Sequence, residues 1–305
     1  MSGGRKSPVL RILGGLVAAA LLGRAFWEAA GELRSFPIHP SVLPALLALL
    51  GIFGTFLFTI VTWQTLFRDL GVRLAYRDAV RLWSFSNIGR YLPGKIWQVV
   101  GMVVVARELG VPGGLSAAAA FLSFGFMVSS GALMGLLFLQ GAAFVHPWVG
   151  WTAVALASGL LVPIAWPGLF NAVFRRLPSS LGCSLVPEIP RGAIVRFAVL
   201  QCLAWVGHGV SFYVFARALA SPPVSELARF AGSYSLAYVG GLVALFAPGG
   251  LGVREGLLGV MLGTVGLGDL PVHVLAVAAR LWAIGAEILV FALAMLLRPT
   301  RGPTS

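Results

Sequence analysis

Charge is what this sequence has least of. Of 305 residues only 10% are charged, where soluble globular domains carry about 25%. Acids number 10 against 22 Lys and Arg. No charged residue lies between Glu108 and Arg175, a stretch long enough for two membrane spans of roughly 20 residues and their connection. A water-facing domain is thereby excluded there. Lysine is nearly missing, with Lys6 and Lys95 the only two. The two cysteines, Cys183 in a loop and Cys202 in an apolar segment, have neither CxxC nor metal-ligand spacing. There is no HExxH, no GxSxG and no Walker loop, and His39, His146, His208 and His273 are scattered with few acids near them. No catalytic residue, metal or cofactor is expected, and the chain reads as a non-enzyme.

What is there is apolar. Hydrophobic residues make up 58% of the chain, and its mean hydropathy is +0.92. They run in continuous blocks rather than the alternating segments of about ten that a membrane β-barrel needs. The expected fold class is an all-α polytopic integral membrane protein. Full spans are expected at about 9–27, 43–67, 115–139, 148–170, 195–216 and 272–297. Arg5, Lys6 and Arg11 before the first block resemble a signal peptide, but no small-x-small site precedes Arg24, so a retained helix is expected.

Two more apolar regions are interrupted. Region 82–106 is broken by Pro93-Gly94, and region 230–268 by Pro248-Gly249-Gly250. The pieces that follow are too short to span and suit re-entrant or broken helices. The Pro-Gly pairs lie 155 residues apart, and each is followed by a short apolar piece, a Leu-Gly turn near a Pro, and a full span. We expect one domain over 1–298, with pseudo-repeats at about 40–140 and 193–298 and a short cytoplasmic tail at 299–305. With the termini inside, 14 basic residues fall on the cytoplasmic side, four outside (Arg24, Arg34, Arg217, Arg229) and four at membrane depth. That bias accounts for the net charge of +12, and no nucleic acid is expected as partner. In this topology the broken regions dip in from opposite sides, which is the geometry of inverted-repeat transporters.

A charge in the bilayer core costs roughly 2.5–3.5 kcal/mol on insertion scales. At membrane depth stand Arg90, Lys95, Arg254 and Arg280 against Glu255 and Glu287. The excess of cations favours an anionic ligand such as a lipid phosphate; the alternative is that Arg90 or Arg254 snorkels to an interface. Lys95 and the Gly249–Gly252 backbone open short helices, whose free N–H groups also suit an anion. Glu255 either complements its own helix dipole or is the counter-ion that Arg90 or Lys95 exchanges for substrate. Arg280 and Glu287, seven apart on one face, either pair or line the path. Gln201 and His208 read as interhelical glue, and Trp83, Trp97, Trp205 and Trp282 as belt or packing residues.

Two stretches carry a resemblance. SNIGRYLPGKIWQ (86–98) and APGGLGVREG (247–256) resemble the two signatures of the lysylphosphatidylglycerol synthase transmembrane-region family, and the order and hydropathy of about 10–298 fit it. The matching positions are Asn87, Gly89, Arg90, Tyr91, Pro93, Gly94, Lys95 and Trp97, then Pro248, Gly249, Gly250, Gly252, Arg254 and Glu255. The resemblance implies lipid translocation in a bacterial or archaeal cell (inner) membrane. In bifunctional members this domain moves the lipid that a fused aminoacyltransferase makes. A stand-alone member is expected here, without the synthase activity. Its partners would be membrane lipids, an anionic phospholipid or a lipid-linked sugar, and a separate lipid-modifying enzyme. Asn87, Arg90, Tyr91, Lys95, Gly249, Gly250, Gly252, Arg254, Glu255, Arg280 and Glu287 are the expected substrate-binding residues, with Pro93, Gly94 and Pro248 as hinges. The rival functions are a small-solute or ion transporter and a non-transporting partner of a lipid-modifying enzyme.

Overall fold

The computed structural model describes residues 27, 31, 40–91, 96–139, 147–176, 187–244, 247, 250, 252–263, 265, 267 and 270–297. Among the described residues ten α-helices can be followed end to end, in chain order: α1 (Val42–Asp69), α2 (Tyr76–Ile88), α3 (Ile96–Glu108), α4 (Gly113–Phe138), α5 (Pro147–Ala165), α6 (Pro167–Arg176), α7 (Arg191–Leu219), α8 (Leu227–Val243), α9 (Val253–Leu262) and α10 (Val272–Leu296). Short 3₁₀ turns cover Gly89–Tyr91 and Val224–Glu226. The fold is all-α among the described residues, as the continuous apolar blocks require.

Five helices, α1, α4, α5, α7 and α10, are long and apolar enough to cross a bilayer. They coincide with five of the six expected spans; the first, at 9–27, lies outside the described residues except for Trp27, and the tail at 299–305, Arg24 and Cys183 lie outside them too. Both interrupted regions are pairs of helices. Each of α2 and α3 has 13 residues, about 20 Å at 1.5 Å per residue, against a hydrocarbon core of about 30 Å. α8 and α9 have 17 and 10. The two halves of each pair pack on one another.

Three boundaries differ from the expectation. Helix α2 starts at Tyr76, inside what reads as a basic loop, because Asp78 is buried and Arg81 has a use. Arg81 Nη1 donates to the carbonyls of Ala294 and Leu297 at 3.1 Å each, satisfying the C-terminal end of α10. The block 148–170 ends as a span at Ala165, and Pro167 opens the separate, amphipathic α6, in keeping with the preference of Pro for a first helical position. The region beginning at 230 is helical already from Leu227.

Helices α1 and α7 form the central pair and run antiparallel. At one end Ser41 N–H donates to the Ala218 carbonyl at 2.8 Å; at the other Arg196 pairs with Asp69 at 2.5 Å. Between them small residues interlock: a Cβ on Gly51 would lie 2.7 Å from Ser211 Oγ, and one on Gly207 2.7 Å from Thr55 Oγ1. In lipid, helices gain little from burying apolar side chains, so close backbone approach through Gly, Ser and Thr supplies the packing energy. Around this pair α2 packs on α10 and α8 on α4, α3 on α4 and α9 on α10, α1 on α10 and α7 on α4. Each of these contacts has its counterpart when α1–α4 is exchanged for α7–α10.

Candidate functional site

An apolar cavity of about 720 Å³ opens among α1, α2, α3, α4, α7 and α8. Its walls are mainly Val, Met, Phe, Ala and Trp, including Val99, Val103, Phe121, Phe124 and Met127. Val100, Val104 and Phe121 belong to the wall and are also more than two-fifths exposed on the outside of the helix bundle. The mouth is therefore apolar and faces sideways between α3 and α4, and Arg107, in the last turn of α3, stands on it. Polar groups concentrate elsewhere in the lining: Asn87, Arg90, Gln98, Gln201, His208 and Tyr238.

Arg90 comes from the 3₁₀ turn that ends α2, where the chain leaves α-helical geometry and turns its side chain inward. It is 15% exposed and forms an ion pair with Glu287 of α10, itself 4% exposed. Arg90 Nη1 also donates to Tyr238 Oη at 3.1 Å. The carboxylate that meets Arg90 is thus Glu287, from a helix nearly 200 residues away in sequence. Glu255 is engaged elsewhere: its Oε2 accepts from the Gly252 N–H at 2.8 Å and closes the first turn of α9.

Arg254, one residue before Glu255, lies along α8. Its guanidinium sits 4.6 Å from the ring centre of Tyr234 and 5.2 Å from that of Tyr238, within the range of cation–π attraction. The path is open because Gly241 has no side chain: a Cβ there would be 3.3 Å from Arg254 Cβ and 3.3 Å from Gly250 Cα. Gly250 and Gly252 both take φ of +76°, a left-handed backbone that glycine adopts without the steric cost other residues bear. These glycines turn the chain between α8 and α9 so that Arg254 points back at the tyrosines. Arg254 Nη2 is buried without a hydrogen-bond partner among the described residues. His208 of α7 stacks on the same two tyrosines, with ring centres 6.1 and 6.5 Å away, and Trp205 packs edge-on to Tyr238 at 5.4 Å.

The structure thus places Asn87 and Arg90 in the cavity wall, with Glu287 paired to Arg90 and Arg254 against the ring of Tyr238. Arg280 is partly exposed on α10, with no ion-pair partner among the described residues, and does not join Glu287. Gly250 and Gly252 act on backbone course, as just described. Lys95, Pro93, Gly94, Pro248 and Gly249 lie outside the described residues, as does the side chain of Tyr91. Gln201 and His208, expected as glue, line the cavity, and so do Trp83 and Trp205. Trp282 is buried, whereas Trp97 is 47% exposed. Tyr234 and Tyr238 were not anticipated. The available signal was their i, i+4 spacing in a small-residue helix, SYSLAYVGG, just before the second glycine motif. No group of three or more His, Cys, Asp or Glu able to hold a metal occurs among the described residues.

No curated protein matches the chain. A family profile described as lysylphosphatidylglycerol synthase TM region matches residues 9–290, nearly the whole sequence and both glycine motifs. With five apolar spans among the described residues, this is a multi-pass membrane protein of lipid-related function, and the chain belongs to the lysylphosphatidylglycerol synthase TM region family.

Proposed function

We propose that this protein translocates an anionic, phosphate-bearing lipid between bilayer leaflets and carries out no covalent chemistry. The observation that carries this reading is a buried Arg90–Glu287 pair at a cavity that is apolar and opens sideways. A channel for ions or small solutes calls for a polar, water-filled path; here the mouth is lined by Val100, Val104 and Phe121 beside Arg107, and the walls behind it are mainly apolar. A volume of about 720 Å³ falls within the roughly 300–1,000 Å³ of ordinary ligand pockets. It suits a headgroup and the adjoining glycerol, while acyl chains stay in the membrane outside the mouth.

The pair explains how a phosphate is taken up. Removing one partner of a buried ion pair costs about 3–5 kcal/mol, because the other charge is left uncompensated. Arg90 therefore gives up Glu287 only as another anion replaces it. A headgroup phosphate does this, accepting two parallel hydrogen bonds from the guanidinium. Lys95, five residues on in the same motif, assists, and Arg254 receives the phosphate on the other side. The paired packing of α1–α4 and α7–α10 fits two repeats, about 40–140 and 193–298, that rock against each other in alternating access. The termini lie in the cytoplasm of a bacterial or archaeal cell, and no ATP is used.

The test is reconstitution of the purified protein in vesicles with fluorescently labelled phosphatidylglycerol, reading leaflet exchange by dye quenching. Wild type should speed exchange, and Arg90→Ala and Glu287→Gln should each lower the rate by roughly tenfold or more. A wild type that moves none of a panel of anionic phospholipids and lipid-linked sugars overturns the reading. Exchange that survives both changes overturns the role of the pair.

A further inference from the structure

Tyr238 stands between two part-buried guanidinium groups. On one side its hydroxyl accepts from Arg90 at 3.1 Å, and both residues line the cavity. On the other side its ring carries Arg254, which lies outside the cavity wall. The compartments differ in what they hold. The Arg90 side contains a carboxylate, Glu287. The Arg254 side contains no carboxylate within ion-pair distance among the described residues, only the faces of Tyr234 and Tyr238.

Two buried donors there have nothing to bind among the described residues, Arg254 Nη2 and Trp282 Nε1. Both groups pack on the same ring: Trp282 is 6.3 Å from Tyr234 between ring centres, and the Arg254 guanidinium 4.6 Å. Buried donors normally find acceptors, and one left without costs appreciable stability. Around Tyr234 the full cation Arg254 thus has a donor left for an acceptor-rich anion, with Trp282 Nε1 and His208 Nδ1 also without partners against the same ring among the described residues.

We propose that Tyr238 is the gate between two stations for a phosphodiester anion, Arg90 facing the cavity and Arg254 behind the ring. This rests on the proposal of lipid translocation. When a phosphate oxygen binds Arg90 it competes for the Nη1 donor that now holds Tyr238 Oη. The ring then keeps its packing on Arg254, His208, Trp205 and Tyr234 but loses the bond that holds its hydroxyl to Arg90, so its tip can turn aside. The anion moves past it to the unpartnered donors, and Glu287 returns to Arg90. Binding at the first station thus releases the barrier to the second, and the gate opens only for cargo that bears the charge.

The experiment uses the full chain with fluorescent phosphatidylglycerol, measuring equilibrium binding in detergent beside leaflet exchange in vesicles. Tyr238→Trp, a larger plug, should cut exchange by roughly tenfold or more, a clearly larger factor than its loss of binding. Arg254→Gln should show the same split with no added bulk, and Tyr238→Phe, which keeps the ring, should recover most of the exchange lost in Tyr238→Trp. Equal loss of binding and exchange in Tyr238→Trp and Arg254→Gln overturns the gate, because it puts both residues in the loading site. Unchanged exchange in either variant overturns it too. Failure of the wild type to bind or move the lipid removes the translocation proposal itself. A parallel arm with soluble glycerophosphoglycerol separates the sources of the phosphodiester. Uptake of that probe, blocked by Tyr238→Trp, upholds the gate while assigning it a soluble cargo.

Discussion

A guanidinium keeps its proton even in a membrane interior, so Arg90 has to be understood through what surrounds it. Glu287 neutralises it and Tyr238 takes one of its remaining donors. Such an arrangement is strong as a pair and weak when halved. Glu287→Gln leaves a buried cation with a neutral partner and should lower stability by about 3–5 kcal/mol. The double change Arg90→Gln with Glu287→Gln removes both charges and should recover part of that loss. Thermal unfolding in detergent reads this directly: the Tm of Glu287→Gln should fall below that of the double variant. If the two single changes simply add in the double, the residues are not coupled. That both residues matter is legible in the sequence, because charges are rare in apolar blocks. Their pairing is not, because hydropathy and spacing describe only neighbours along the chain. The same limit hid Tyr238. A tyrosine within an apolar segment resembles an interfacial anchor, and only the three-dimensional approach of Arg90 and Arg254 gives it a further role.

At the scale of the helix, small residues decide the assembly. The α1–α7 contact has Gly51 facing Ser211 and Gly207 facing Thr55. Gly51 and Thr55, like Gly207 and Ser211, are one turn apart, so each helix presents a small stripe to the other. A larger side chain has no room there. Gly207→Leu should push the helices apart and cost about 1–3 kcal/mol, the range for overpacking a filled interface. Gly54→Leu on the partner helix α1, where a Cβ meets nothing within 4 Å, should cost little. A comparison of their melting temperatures in detergent checks this, and equal effects would show that the stripe is not the contact. The long spans were legible from block length alone, since about 20 apolar residues leave little else open. The start of α2 was not. YRDAVR reads as a polar loop until Arg81 is seen capping α10 more than 210 residues later in the chain.

At the scale of the molecule, the ends of the central pair set the direction of everything attached to them. Ser41 meets Ala218 at one end, and Asp69 meets Arg196 at the other. The loop from Leu70 to Ala75 and the start of α2 therefore lie on the Arg196 side, where Arg81 also reaches the last turn of α10. The turn from Ala220 to Pro223 and the start of α8 lie on the Ser41 side. The broken pair α2–α3 thus begins from one face and α8–α9 from the other. This opposition is what two inverted repeats need if both broken pairs are to aim their arginines at the same interior region. From the excess of Lys and Arg on the Arg196 side we propose that this face is the cytoplasmic one. Ala75 and Ser221 are both exposed and serve as reporters. In a background with Cys183 and Cys202 replaced by Ser, Ser221→Cys in intact cells should react with a membrane-impermeant maleimide from outside. Ala75→Cys should react only after the membrane is opened. Labelling of both from outside, or of Ala75→Cys alone, contradicts the assigned orientation. Labelling of both only after permeabilisation would put the two loops on one face, and with it the opposed entry of the broken pairs would fail.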